Sequence, residues 1–139
     1  MGSSPAEGLV EHWASAWSSR NVAQVGSIFT DDCVYEDITM GIVNHGKIEL
    51  ETFARGIFEA FPDFTIQLTS RFAAASWAGA EWTMSATHKG DLPGLPATGK
   101  RFSIRGATIF ELQGEKIRRA SDYWDMVTFL TQIGVMPPG

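Results

Sequence analysis

The 139-residue chain is short of several things, and each shortage removes a class of protein. Its one cysteine, Cys33, leaves no partner for an intrachain disulfide and no further thiolates for a multi-cysteine zinc module. No cationic neighbour in sequence activates it, so it reads as a buried structural thiol in a reducing compartment. Positive charge is scarce as well: eleven Lys and Arg against sixteen Asp and Glu give a formal net charge of −5. A polyanion would meet that field unfavourably, so nucleic acid is not an expected partner. No apolar run approaches the ~20 residues that cross a bilayer. Met1-Gly2-Ser3-Ser4 lacks the basic, then apolar, layout of a secretion signal, and Ala6 replaces the Ser or Thr that N-myristoylation at Gly2 requires. The expected location is the cytoplasm, with no membrane partner. Three scattered histidines, no HExxH pair, no glycine-rich phosphate loop and no GxSxG elbow point to neither a metal nor a cofactor.

What is present is an ordinary composition, 44% hydrophobic and 19% charged, expected for a single soluble domain over residues 1–139. At this length a fold buries roughly 70% of the surface its unfolded chain exposes, enough for a core that carries a pocket.

Ser4-Pro5-Ala6-Glu7 has the cap, first-turn proline and acidic third position of a helix start, and Leu9, Val10, Trp13 and Trp17 then recur at helical spacing to about Ser19. Asn21 with Gln24 repeats the signal for a short second helix through Val22, Val25, Ile28 and Phe29, closing at Thr30-Asp31-Asp32. Residues 33–37 and 39–43 predict a small strand pair. A longer helix follows over about 47–61, with Leu50, Phe53, Ile57, Phe58 and Phe61 on one stripe and Pro62 as its stop. Four strands are expected over 64–72, 78–89, 101–112 and 115–124, then a helical turn over 127–133 ahead of Gly134 and Pro137-Pro138. Residues 90–99, rich in Gly and Pro, form a loop long enough to cover a pocket. Helices segregated from an antiparallel sheet make this an α+β fold, with a cone-shaped space between the sheet and its long helix.

Alternation places Trp82, Met84, Ala86 and His88 on one strand face, directed inward. His88 is either a titratable group at the end of an apolar stripe or a histidine satisfied by backbone. In the last strand, Asp122 and Asp125 fall on opposite parities, so a regular strand admits one of them to the cavity. A carboxyl in an apolar pocket binds its proton more tightly and serves as a general acid or base near neutral pH. Asp125 alternatively caps the helix that follows. Tyr35-Glu36-Asp37 places a further acid at the cavity mouth or on a solvated edge. Arg105 pairs with a carboxylate across the sheet or meets a ligand. Trp13, Trp17, Tyr35, Phe58, Trp82, Met84 and Tyr123 complete the candidate pocket wall.

Four segments carry a resemblance: Phe61-Pro62-Asp63, Trp82-Thr83 through Thr87-His88-Lys89-Gly90, Gly94-Leu95-Pro96-Ala97-Thr98-Gly99-Lys100, and Asp122-Tyr123-Trp124-Asp125 leading into Leu130-Thr131-Gln132-Ile133-Gly134. Through them the chain resembles the SnoaL-like polyketide cyclase family of the NTF2-like superfamily, from the Trp-containing first helix to Gly134. The resemblance implies a curved antiparallel sheet wrapped by helices, pairing of two copies through the sheet, and an apolar cavity. It also implies intramolecular aldol closure of a ring without a cofactor, by an aspartate of the last strand region. Counted back from Gln132 and Gly134 that aspartate is Asp125, with Asp122 the near alternative and His88 a second candidate. The expected partner is a small apolar carbonyl compound. Isomerisation, non-catalytic binding, and epoxide hydrolysis supported by Arg105 stay open, because the fold does not choose among them.

Overall fold

The computed structural model describes residues 4–137. The first helix, α1 (Pro5–Ser19), opens on Ser4, whose hydroxyl accepts the Glu7 N–H at 3.2 Å, and closes on Arg20 in the left-handed region. α2 (Val22–Ser27) is capped by Asn21 in the same way. Two strands, β1 (Phe29–Asp37) and β2 (Ile42–His45), precede the long helix α3 (Gly46–Ala60). Then come β3 (Thr65–Ala74), β4 (Trp77–Thr87), β5 (Arg101–Gln113), β6 (Lys116–Trp124) and α4 (Met126–Gln132). The stretch 1–3, with Gly2, and Pro138 lie outside the described residues.

All six strands join one sheet in the order β2-β1-β6-β5-β4-β3. Every pairing is antiparallel except β1 with β6, which is parallel and sets Asp37 beside Asp122. The sheet is therefore mixed rather than wholly antiparallel, since the first strand returns beside the last. Local patterning does not report such a non-local pairing. Register shifts between Phe29 and Val34, Leu68 and Ser70, and Glu111 and Leu112 interrupt the ladders. Irregularities of this kind bend strands and raise local twist, giving the sheet a concave face.

The second helix is shorter than its periodicity suggests. Phe29 and Thr30 already belong to β1, because Phe29 pairs with Ile117 and buries its ring in the core. The strand expected over 39–43 begins at Ile42, since residues 38–41 form a turn closed by Asp37, whose carboxylate accepts the Met40 N–H at 2.9 Å. β4 stops at Thr87 rather than Lys89.

The helices cover the concave face. Trp13 packs edge-on to Phe110, centroids 5.1 Å apart, and next to Trp82 at 6.5 Å. Ser18 fastens α1 to β3, donating to the Ile66 carbonyl at 3.1 Å and accepting its N–H at 2.9 Å. Gly106 lets the Trp82 indole lie against β5, since a Cβ there would sit 2.3 Å from the ring. The outer face keeps Phe72, Trp77, Ile109 and Tyr123 exposed, among ion pairs such as Arg105–Glu81 and the Arg119–Glu36–Glu111 cluster. No helix among the described residues is long and apolar enough to cross a membrane.

Candidate active site

Between the concave face and the helices lies a cavity of about 330 Å³, near the lower end of the range for small-molecule sites. Its wall is built from aromatic and aliphatic side chains: Trp17 from α1, Phe53 and Ile57 from α3, Phe61 and Phe64 after it, and Ile66, Trp82 and Met84 from the sheet. Residues 88–100 form a loop that adds Leu92, Pro93 and Leu95, and α4 adds Met126, Phe129 and Leu130. Against this apolar lining stand three titratable groups, Tyr35, Asp37 and Asp122.

Asp122 enters because β6 is regular from Arg119 to Trp124, so Ala120, Asp122 and Trp124 share the inward parity. Its carboxylate is fixed from both sides. Thr108, its register partner on β5, donates to Oδ1 at 2.6 Å, and the Tyr35 phenol donates to Oδ2. Trp82 in turn donates its indole N–H to the Thr108 hydroxyl at 2.9 Å, leaving the threonine proton for the carboxylate. Burial disfavours the charged form and pushes the Asp122 carboxyl up to about 7, against the two hydroxyl bonds, which favour the anion. The same burial, with the acid beside it, holds the Tyr35 phenol well above its ordinary value, so it remains a donor.

Asp37 is the second inward acid, and only 6% exposed. Its Oδ1 accepts the Met40 N–H at 2.9 Å and the Trp124 indole N–H at 3.0 Å, while Oδ2 has only the longer 3.2 Å contact to that indole. Burial raises its pKa too, opposed by these N–H bonds. Thr39 clamps the turn to the end of β6, donating to the Trp124 carbonyl and accepting its N–H, each at 2.8 Å.

The other candidates divide. Trp17, Tyr35, Trp82 and Met84 line the cavity, whereas Trp13 and Phe58 are packed behind it, Phe58 against Trp17 and Phe64. Asp125 is outside. It caps α4, accepting the Thr128 N–H at 3.0 Å and the Thr128 hydroxyl at 2.6 Å, and these bonds in open solvent lower its pKa. Tyr123 and Arg105 take the opposite parity and lie on the outer face, where Arg105 stands 3.9 Å from Glu81. No arginine lines the cavity among the described residues, so the arginine sought for epoxide hydrolysis is missing there.

His88 is wholly buried but is not part of the lining. Its ring sits between Phe61 and Phe129, and its Nδ1 accepts the Thr98 N–H at 3.3 Å. Backbone bonds from His88 N–H to the Lys100 carbonyl and from Gly99 N–H to the His88 carbonyl close the same loop. Burial lowers the ring's pKa and keeps it neutral. It is an anchor of the covering loop rather than a group facing a ligand. Thr108 and Trp124 escaped the sequence reading, although a lone hydroxyl among Phe102, Ile104 and Phe110 on one strand parity marks the first.

The model of the SnoaL-like polyketide cyclase family matches residues 7–133. A curated relative, aklanonic acid methyl ester cyclase DnrD of Streptomyces peucetius, is 31% identical over 117 residues, covering 76% of this chain and 79% of the relative. Among solved structures, TsrD from Streptomyces laurentii superposes with a TM-score of 0.85 at 20% identity over 98% of this chain and 99% of its own. A protein of ketosteroid isomerase-like fold from Catenulispora acidiphila, complexed with trimethylamine, gives 0.83 at 23% identity over 92% and 93%. At such identities the two structures establish likeness of fold.

Proposed function

The chain belongs to the SnoaL-like polyketide cyclase family, and we propose that it closes a ring in a small, largely apolar carbonyl compound by an intramolecular aldol reaction, with Asp122 as acid and base and without a cofactor. The observation that carries this reading is Asp122 itself, a cavity-lining carboxyl held by Tyr35 and Thr108 whose burial pushes it up to about 7. At neutral pH such a group is present in both protonation states, the condition for taking a proton from carbon and returning one. The aromatic wall excludes water, which strengthens each interaction with the developing enolate. The cavity's volume and lining suit a small, mostly apolar molecule, and among the described residues supply no cation for a free carboxylate.

Aklanonic acid methyl ester is the probe. The reaction is a rearrangement of bonds within one molecule, so the product keeps the mass of the ester and gains a ring. The expected result is turnover by the wild type and a loss of about 10²- to 10⁴-fold in Asp122→Asn. Equal rates in the two proteins, or an ester bound and recovered unchanged by the wild type, would replace the enzyme with a binding protein. The same reading places a second copy of the chain on the outer sheet face, where Phe72, Trp77, Ile109 and Tyr123 are exposed beside charges of both signs.

A further inference from the structure

A carboxyl that takes a proton from carbon and later returns one must hold that proton more tightly than a carboxyl in water does. Burial is one route to this. A fixed negative charge beside the acid is another. The cavity holds a second carboxyl, and the two are surrounded by different kinds of donor.

The Asp37 carboxylate meets N–H groups, from Met40 at 2.9 Å and from the Trp124 indole at 3.0 and 3.2 Å. Neither nitrogen can accept a hydrogen bond, so both donors suit an anion, and a proton on Asp37 would find no acceptor in them. Asp122 meets two hydroxyls, of Thr108 and Tyr35. A hydroxyl can turn from donor to acceptor, so these partners serve the acid in either protonation state. The two residues are register partners across the parallel β1–β6 pair, and both line the cavity. Adjacent strands lie only about 4.8 Å apart, so negative charges on both would oppose one another, and Asp37 is among the groups that raise the proton affinity of Asp122. Among the described residues, Tyr35 is the only other titratable group of the lining. β5 presents the uncharged Thr108, and α1, α3, the covering loop and α4 add no charge. Glu36 and Arg119 pair with each other on the outer face.

We infer that Asp37 is a positioning residue of this site, a carboxylate that stays ionised and, by its charge, holds the site's exchangeable proton on Asp122. This rests on the ring-closing reading above. Asp122 remains the group that exchanges protons with the substrate, and Asp37 acts through it. With the charge in place, Asp122 is a stronger base towards carbon and keeps the proton until the carbonyl oxygen takes it. Without the charge, the Tyr35 and Thr108 hydroxyls, which favour the anion, would be opposed by burial alone, and Asp122 would ionise at lower pH.

Asp37→Asn keeps a carbonyl oxygen for the Met40 and Trp124 N–H groups and removes the charge. Carboxyl ¹³C NMR titrations of the wild type, Asp37→Asn and Asp122→Asn read the pair without substrate. In the wild type one carboxyl should titrate near neutral pH, and its signal should be missing from Asp122→Asn. In Asp37→Asn it should persist and move to lower pH by roughly half to one pH unit. In Asp122→Asn the Asp37 carboxyl should ionise at its wild-type pH, because its neighbour is uncharged in both proteins when it does so. The ascending limb of kcat/KM for aklanonic acid methyl ester should move to lower pH with the titration in Asp37→Asn, whereas a merely structural role would lower the rate and leave the limb in place. A near-neutral titration that is lost or unmoved in Asp37→Asn, or an Asp37 midpoint that falls in Asp122→Asn, would overturn the assignment. A wild type that leaves the ester unclosed overturns the ring-closing reading instead, and the role of Asp37 in it, whatever the titrations give.

Discussion

Thr108 stands between Trp82 and Asp122, accepting the indole N–H at 2.9 Å and donating its own proton to the carboxylate at 2.6 Å. The indole thereby fixes which way the hydroxyl points, and the hydroxyl bond in turn restrains the proton affinity of the acid. Thr108→Val removes that bond and strands the indole N–H. The apparent pKa of the base in the pH profile of kcat/KM should rise above its wild-type position. The stranded donor should cost about 1–3 kcal/mol of stability in urea unfolding. An unmoved pH profile would show that Thr108 has no hold on the acid.

Asp122 should make the fold pH-sensitive in a definite direction. Its folded pKa, about 7, lies above the unfolded value of about 4, so the native state holds the proton more tightly than the unfolded chain. The stabilising contribution is complete below the unfolded pKa and is lost as pH rises towards 7. Asp122→Asn removes the loss. Its gain in stability over wild type is expected to grow from pH 5 to pH 8, to a few kcal/mol at most, as read by denaturant midpoints at each pH. A constant difference would show that the acid titrates normally.

Asp125 offers the contrast. Its bonds to Thr128 cap α4 in open solvent, so Asp125→Ala should lower Tm by a few degrees. Turnover of the probe ester should stay within about twofold. A loss as deep as that of Asp122→Asn would return Asp125 to the site.

If two copies pair through the outer face, Ile109→Asp and Tyr123→Glu should each shift a dimer toward monomer in sedimentation velocity, because both place a charge on the contact. A wild type that sediments as a monomer at tens of micromolar would dispose of the surface.

Much of this architecture was legible in the sequence, and the exceptions share causes. Helix starts at Ser4 and Asn21, the stripe of α3 and the meander from β3 to β6 follow from caps and periodicity. The parity of β6 already limited the cavity to one of Asp122 and Asp125. Counting back from Gln132 favoured Asp125, which does not line the cavity, and the spacing of Asp125 to Thr128 is that of a helix cap. Phe29 has a helical periodicity that tertiary pairing overrides. The neighbourhood of Asp37 and Asp122 arises from a parallel pairing across some eighty residues, which no local pattern encodes. Thr108 and Trp124 are polar groups whose value lies wholly in what they touch.

The acids and their hydrogen-bond partners sit chiefly on β1, β5 and β6, whereas Leu92, Pro93, Leu95, Met126 and Leu130 belong to a loop and a short terminal helix. The loop hangs from fixed points at His88, Thr98 and Ala60. Part of the cavity wall thus lies on stretches of chain that carry none of the acids. Substitutions at those five positions would reshape the cavity while leaving Tyr35, Asp37 and Asp122 in place.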